Sequence, residues 1–148
     1  MTENIASILK TKGSTVWSVA PDTTVYDALA LMAERSIGSV LVLSDGRLAG
    51  ILSERDYARK IVLQGKSSKD TPVHEIMTRS PVTVTPEHTV DECMVIMTQT
   101  RVRHLPVLVG DRVAGIVSIG DLVNAIISEQ ADTINHLHTY IRGGTYPT

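Results

Sequence analysis

The segment Gly50-Ile-Leu-Ser-Glu-Arg-Asp56 returns as Gly115-Ile-Val-Ser-Ile-Gly-Asp121, 65 residues further on. The same offset aligns Val19-Ala-Pro-Asp-Thr-Thr-Val25 with Val84-Thr-Pro-Glu-His-Thr-Val90. It also pairs Met32 with Met97, Val42 with Val107 and Arg47 with Arg112, with no gap. Two copies are too few for a solenoid, which needs three or more stacked repeats to bury a continuous core. The expected product is therefore two half-domains packed face to face. With 148 residues and 43% hydrophobic content, the chain has enough apolar side chain for such a core without covalent staples.

Both copies share one grammar. A short extended piece (Thr15 to Val19; Val82 to Val84) leads through a Pro-containing turn to a Thr-x-x-acid helix start, Thr24 to Asp27 and Thr89 to Glu92. Apolar residues then recur at helical spacing: Val25, Leu29 and Met32 in one copy, Val90, Cys93, Met94 and Met97 in the other. Two β-rich runs follow in each copy, Ser39 to Leu43 with Leu48 to Ser53, and Leu105 to Val109 with Val113 to Ser118. They are joined at Asp45-Gly46 and Gly110-Asp111, the pattern of a hairpin. A second helix is expected over Arg55 to Leu63 and over Asp121 to Ser128, so each copy reads β-α-β-β-α and the fold class is α+β. The expected division is 5–66, 72–130 and a tail at 131–148. In the lead-ins, Ile5, Ile8 and Leu9 resemble Val73, Ile76 and Met77. In the tail, Ile134, Leu137 and Ile141 predict a further helix stopped by Gly143-Gly144.

Charge and composition narrow the partners. A formal net charge of −2 supplies no basic field for nucleic acid or an anionic membrane. No run approaches the roughly 20 apolar residues of a spanning helix, and no secretory signal opens the chain, so a soluble, cytoplasmic protein is expected. The single Cys93 lies on an apolar helical stripe and reads as a core residue. His136 and His138 have no third ligand at suitable spacing and read as surface residues, leaving no metal site.

Taken alone, Ser53-x-x-Asp56 and Ser118-x-x-Asp121 are helix caps: a Ser at the N-cap and an acid that complements the helix dipole. The same geometry aims free backbone N–H groups and a hydroxyl at one point, a place for an anion. An ionised Asp nearby accepts both hydroxyls of a ribose cis-diol.

These motifs, together with Arg103-His-Leu-Pro-Val107, resemble the cystathionine β-synthase (CBS) domain, and the tandem resembles a Bateman module. The resemblance covers roughly residues 5 to 130. It implies two pseudo-symmetric domains packed sheet to sheet, with two clefts for adenosine-containing ligands: AMP, ADP, ATP or NAD(H), with S-adenosylmethionine ranked below them. It places Asp56 and Asp121 on the ribose, and Ser53 and Ser118 on sugar or phosphate. Arg103 and His104 fall on the phosphates, whereas the first copy has Gly38 and Ser39 there, with Arg55 as a substitute cation. Trp17, Ile37 and Val82 are candidates for the adenine pockets, weighed against ordinary core packing.

The function expected from this resemblance is a stand-alone nucleotide sensor, not an enzyme, that works as a homodimer and signals to an effector protein in trans. The alternatives are a nucleotide-modifying enzyme and a purely structural dimerisation module. Because Arg103 and His104 precede Ser118 and Asp121 in the same copy, the Asp121 cleft is expected to be the tighter phosphate site. The order reverses if pseudo-symmetry carries Arg103 to the neighbouring cleft.

Overall fold

The computed structural model describes residues 3–141, the side chains of 136 and 138–141 excepted. The side chains of His136 and His138 and the expected stop at Gly143-Gly144 lie outside the described residues. The chain opens with α1 (Ile5–Lys12), β1 (Ser18–Val19), α2 (Val25–Arg35), β2 (Ser39–Ser44), β3 (Arg47–Ser53) and α3 (Glu54–Tyr57), which continues as a π turn over Ala58–Val62. A 3-10 turn (Val73–Glu75) and β4 (Thr78–Arg79) lead to α4 (Val90–Thr100), β5 (His104–Val109), β6 (Arg112–Ser118) and α5 (Ile119–Ile141). The fold is mixed α+β, with two sheets in contact through β3 and β6.

The duplication is visible in hydrogen bonds. Val19 pairs in parallel with Val42, and Val84 makes the equivalent parallel bridge to Val107. Each hairpin carries an irregularity at the same place, between Val42 and Leu43 and between Val107 and Leu108. Thr24 and Thr89 cap their helices by accepting from the backbone N–H groups of Asp27 and Glu92, both at 3.1 Å. Both helices end in a residue in the left-handed region, Ser36 and Arg101, and in each case the next N–H returns to a methionine carbonyl, Ile37 to Met32 and Val102 to Met97. The expected strand at Val82 to Val84 shrinks to the Val84 bridge, and among the described residues no strand pairs with β6 as β4 does with β3, so the second sheet has two strands where the first has four.

The lead-ins cross over. Ile5 and Ile8 of α1 are buried with Val90, Cys93, Met97, Leu105 and Leu122 of the second copy. Val73, Ile76 and Met77 are buried with Val25, Met32, Val42 and Leu52 of the first. Backbone bonds fasten α1 there: the N–H groups of Ile5 and Ala6 donate to the carbonyls of His88 and Pro86, and Val90 N–H donates to Glu3. Gly115 makes room for Leu9, whose Cδ2 lies 2.7 Å from where a β-carbon would stand.

Two helices differ from expectation. The second helix of the first copy widens to a π turn, with Leu63 N–H bonded to Ala58, which carries Ile61 into the core and leaves Val62 and Leu63 exposed. The second helix of the other copy and the tail helix are one element of 23 residues, because Ser128 to Ile134 contains neither Gly nor Pro to break it. Cys93 is fully buried, as read, and burial followed by the Glu92 charge pushes its thiol up to about 11.

Because each core contains a segment from outside its own copy, the halves are expected to unfold together. Ile5→Ala, which empties a fully buried site, should cost about 2–5 kcal/mol. In urea titrations, Trp17 fluorescence and far-ultraviolet circular dichroism should shift to the same lower midpoint. A Trp17 transition that stays at the wild-type midpoint would show that the first copy unfolds independently.

Candidate functional site

The residues after β3 build one wall of a cleft. Ser53 and Asp56 form a reciprocal cap: Asp56 N–H donates to Ser53 Oγ at 3.2 Å, and Ser53 N–H donates to Asp56 Oδ2 at 3.0 Å. Ser53 Oγ–H also donates to Oδ2, at 3.0 Å. The other carboxylate oxygen, Oδ1, faces Lys60 Nζ at 3.0 Å and accepts from Thr78 Oγ1 at 3.2 Å. The cap therefore holds one oxygen of a buried Asp56 and points the other at cleft-lining groups.

The opposite wall comes from the second copy. A cavity of about 650 Å³ lies between Ser53, Glu54, Arg55, Asp56, Arg59 and Lys60 on one side and Arg101, Val102, Arg103 and His104 on the other, with Ile51, Thr78 and Val82 also lining it. That volume falls in the range of about 300–1,000 Å³ typical of small-molecule sites. Five cationic side chains, Arg55, Arg59, Lys60, Arg101 and Arg103, face two carboxylates, Glu54 and Asp56. Arg55 is further anchored by donating from Nη1 to the Arg101 carbonyl at 2.9 Å. A chain of net charge −2 thus concentrates positive charge at one concave place.

Of the two placements expected for Arg103, the structure has the one at the neighbouring cleft. Arg103 and His104 line the Asp56 cavity, at the junction where β3 of one copy meets β6 of the other. Gly38, the counterpart of Arg103, lies at the same junction: a β-carbon there would be 3.3 Å from Glu54 Oε1 and 3.6 Å from His104 Cε1. Ser39 is buried and registers with Ser53 across the hairpin. Val82 lines the cavity, whereas Ile37 packs against the first core and Trp17 lies under the Arg35 guanidinium at 4.0 Å.

Around Asp121 the cap repeats, with Asp121 N–H to Ser118 Oγ at 3.1 Å and Ser118 N–H to Asp121 Oδ2 at 2.8 Å. Here the lysine arrives from α1, with Lys12 Nζ 2.7 Å from Oδ2. Burial pushes the Asp121 carboxyl up, but the bonds from Lys12 and Ser118 outweigh it and hold the group below the ordinary carboxylate value. His104 is held below the ordinary histidine value, first by burial and then by the charge of Lys12, against the opposing pull of Asp121.

Sequence reading missed Lys60, Arg59, Thr78, Arg101 and Lys12. Lys60 was within reach, since it stands four residues after Asp56 on the same helical segment. Nothing local connects Lys12 or Thr78 to the carboxylates they meet.

The duplicated halves and their two caps define a tandem of one recurrent domain. The family model for the CBS domain matches residues 3–63 and 73–128, and the chain belongs to that family. It is 43% identical over 150 residues to the mitochondrial CBS domain-containing protein CBSX3 of Arabidopsis thaliana, covering 95% of this chain and 72% of that one. A CBS-domain protein from Burkholderia ambifaria superposes with a TM-score of 0.83 at 51% identity, over 86% of this chain and 96% of that chain. The CBS domain pair of protein MJ0100, solved with 5′-methylthioadenosine and S-adenosyl-L-methionine, shares the fold with a TM-score of 0.77 at 23% identity, over 87% of this chain and 99% of that one.

A histidine whose folded value is depressed binds fewer protons folded than unfolded, so it adds stability that is present above about pH 6.5 and lost as pH falls through the folded value. Stability should therefore decline on acidification below about pH 6.5, and His104→Gln should flatten that slope. Urea midpoints at several pH values check this. An unchanged slope in His104→Gln would assign the effect to other groups.

Proposed function

We propose that this chain is a non-catalytic regulatory protein that binds adenosine phosphates in the Asp56 cleft and passes its ligand state to a separate effector protein. The observation that carries this reading is the group of five cationic side chains around the Ser53–Asp56 cap in an otherwise acidic chain. Asp56 Oδ1 is the acceptor for a ribose diol, which takes it in exchange for Thr78 and Lys60, and Ile51, Val82 and Val102 supply apolar surface for a base. Arg103, Arg101, Arg59 and Arg55 form a cationic wall for phosphates, which a guanidinium takes in a forked, always-charged contact.

The MJ0100 domain pair supports adenosine as the shared element. The cationic lining here favours AMP, ADP, ATP or NAD(H) over S-adenosylmethionine, whose sulfonium would meet like charge, and over 5′-methylthioadenosine, which offers no phosphate.

We further propose a homodimer through the exposed apolar residues of the helical faces, among them Val62, Leu63, Val95 and Ile127. Sedimentation at micromolar concentration should show twice the chain mass, and a persistent monomer with and without ATP would refute the dimer.

The ligand class is tested by thermal shift and calorimetry. A ligand that binds only the folded state adds about 2.7 kcal/mol of stability at a hundred times its dissociation constant, so ATP should raise the melting temperature clearly and S-adenosylmethionine little. Arg103→Ala should weaken ATP by about ten- to a hundredfold, the loss of one charge-assisted contact of about 1.5–3 kcal/mol. An equal response to S-adenosylmethionine, or ATP affinity unchanged in Arg103→Ala, would overturn the reading.

A further inference from the structure

The two duplicated aspartates have each acquired a lysine, but from positions that are not duplicates of each other. Leu9 against Gly115 and Met77 against Gly50 are equivalent places, so the counterpart of Lys12 in the second lead-in is Ser80, which lines the open cleft, and the counterpart of Lys60 is Ala125. Lys60 stands four residues beyond Asp56 and divides itself between Oδ1 and the carbonyl of Ile76, a residue outside the lining of the cavity. Its cleft stays open at about 650 Å³. Lys12 is placed differently: its Nζ donates to Asp121 Oδ2 at 2.7 Å and to the Ile116 carbonyl at 2.9 Å. Ile116 and Asp121 are the counterparts of Ile51 and Asp56, both of which line the open cleft. The ammonium therefore lies across the part of the second cleft that corresponds to the ligand-facing floor of the first.

This lysine is not a loose surface side chain. Its helix is pinned by Ile5 and Ile8 in the second core, by Leu9 against Gly115 and by the backbone bonds to Pro86 and His88. Asp121 Oδ2 is already the acceptor for Ser118 N–H, so Lys12 completes a closed set of charge-assisted contacts at the oxygen that the cap orients. A ribose diol approaching Asp121 along the Ile116 edge would meet this ammonium, whereas at Asp56 the lysine reaches back to the Ile76 carbonyl, outside the cavity lining.

We infer that Lys12 is an intramolecular occupant of the second cleft, so that one chain takes one nucleotide, at Asp56, and the Asp121 site becomes available only when Lys12 withdraws. The inference rests on the nucleotide reading above and goes beyond it by assigning the two clefts different roles. It makes α1 the element that controls the second site.

Calorimetric titration of the full chain with ATP tests it. The wild type should bind one ATP per chain, and Asp56→Ala should lose it. Lys12→Met, which keeps the length of the side chain and removes the charge, should bind two per chain. The added event should disappear in Lys12→Met/Asp121→Ala. Two ATP per wild-type chain, or one in Lys12→Met, would overturn the inference.

A second readout needs no ligand. The Asp121 carboxyl, followed by carbon-13 NMR, should titrate at higher pH in Lys12→Met than in the wild type. An unmoved midpoint would overturn the Lys12 contact itself. If neither wild type nor Lys12→Met binds any adenosine phosphate while the Asp121 midpoint does move, the nucleotide reading fails and the pairing of Lys12 with Asp121 stands.

Discussion

The exchange of lead-in segments is the constraint on which the rest of this structure depends. Each copy alone has one helix face and one sheet face to bury, and the remaining apolar cover comes from the segment that precedes the other copy. Burying Ile5 and Ile8 in one core and Val73, Ile76 and Met77 in the other fixes the halves as a unit, because releasing either segment exposes several fully apolar side chains at about 1.5–3 kcal/mol each. The same crossing carries polar groups with it. Thr78 reaches Asp56 from the lead-in that packs on the first copy, and Lys12 reaches Asp121 from the lead-in that packs on the second.

The cap motif shows how one local device serves two ends. A strand that ends in Ser and turns into a helix with Asp three residues on satisfies its own backbone groups in both copies. In the first copy the cap uses one carboxylate oxygen and leaves Oδ1 for other partners, and that oxygen opens onto a cavity rimmed by guanidinium groups. In the second copy Lys12 meets the oxygen already held by the cap. Identical motifs thus have different electrostatic surroundings, and the difference lies in side chains that the duplication did not preserve: Arg103 against Gly38, Lys60 against Ala125, Lys12 against Ser80.

The depressed histidine belongs to this asymmetry. His104 sits where the copies meet, near Gly38, Glu54, Lys12 and Asp121, and burial, followed by the charges of Lys12 and Arg103, holds its ring below the ordinary histidine value. A phosphate entering the adjoining cavity would reverse the sign of its nearest field and favour the protonated ring. Under the proposed function, phosphate binding and protonation of His104 would be linked at the junction of the halves.

What the sequence by itself determined is everything that is local or repeated. The helix caps at Thr24 and Thr89, the apolar stripes, the hairpins and the Ser-Asp pairs all follow from residues within a few positions of one another, and a constant offset of 65 residues gave the pseudo-symmetry. Lys60 was legible in principle for the same reason, standing one helical turn from Asp56. Tertiary structure alone decided which lead-in covers which core, that Arg103 lines the Asp56 cavity, and that Lys12 meets Asp121 across 109 residues. Sequence periodicity reports which face of an element is buried, since burial follows from the residue's own hydrophobicity. It carries no record of the opposing surface, because contact across the pseudo-twofold axis depends on how two finished halves pack and not on the spacing within either.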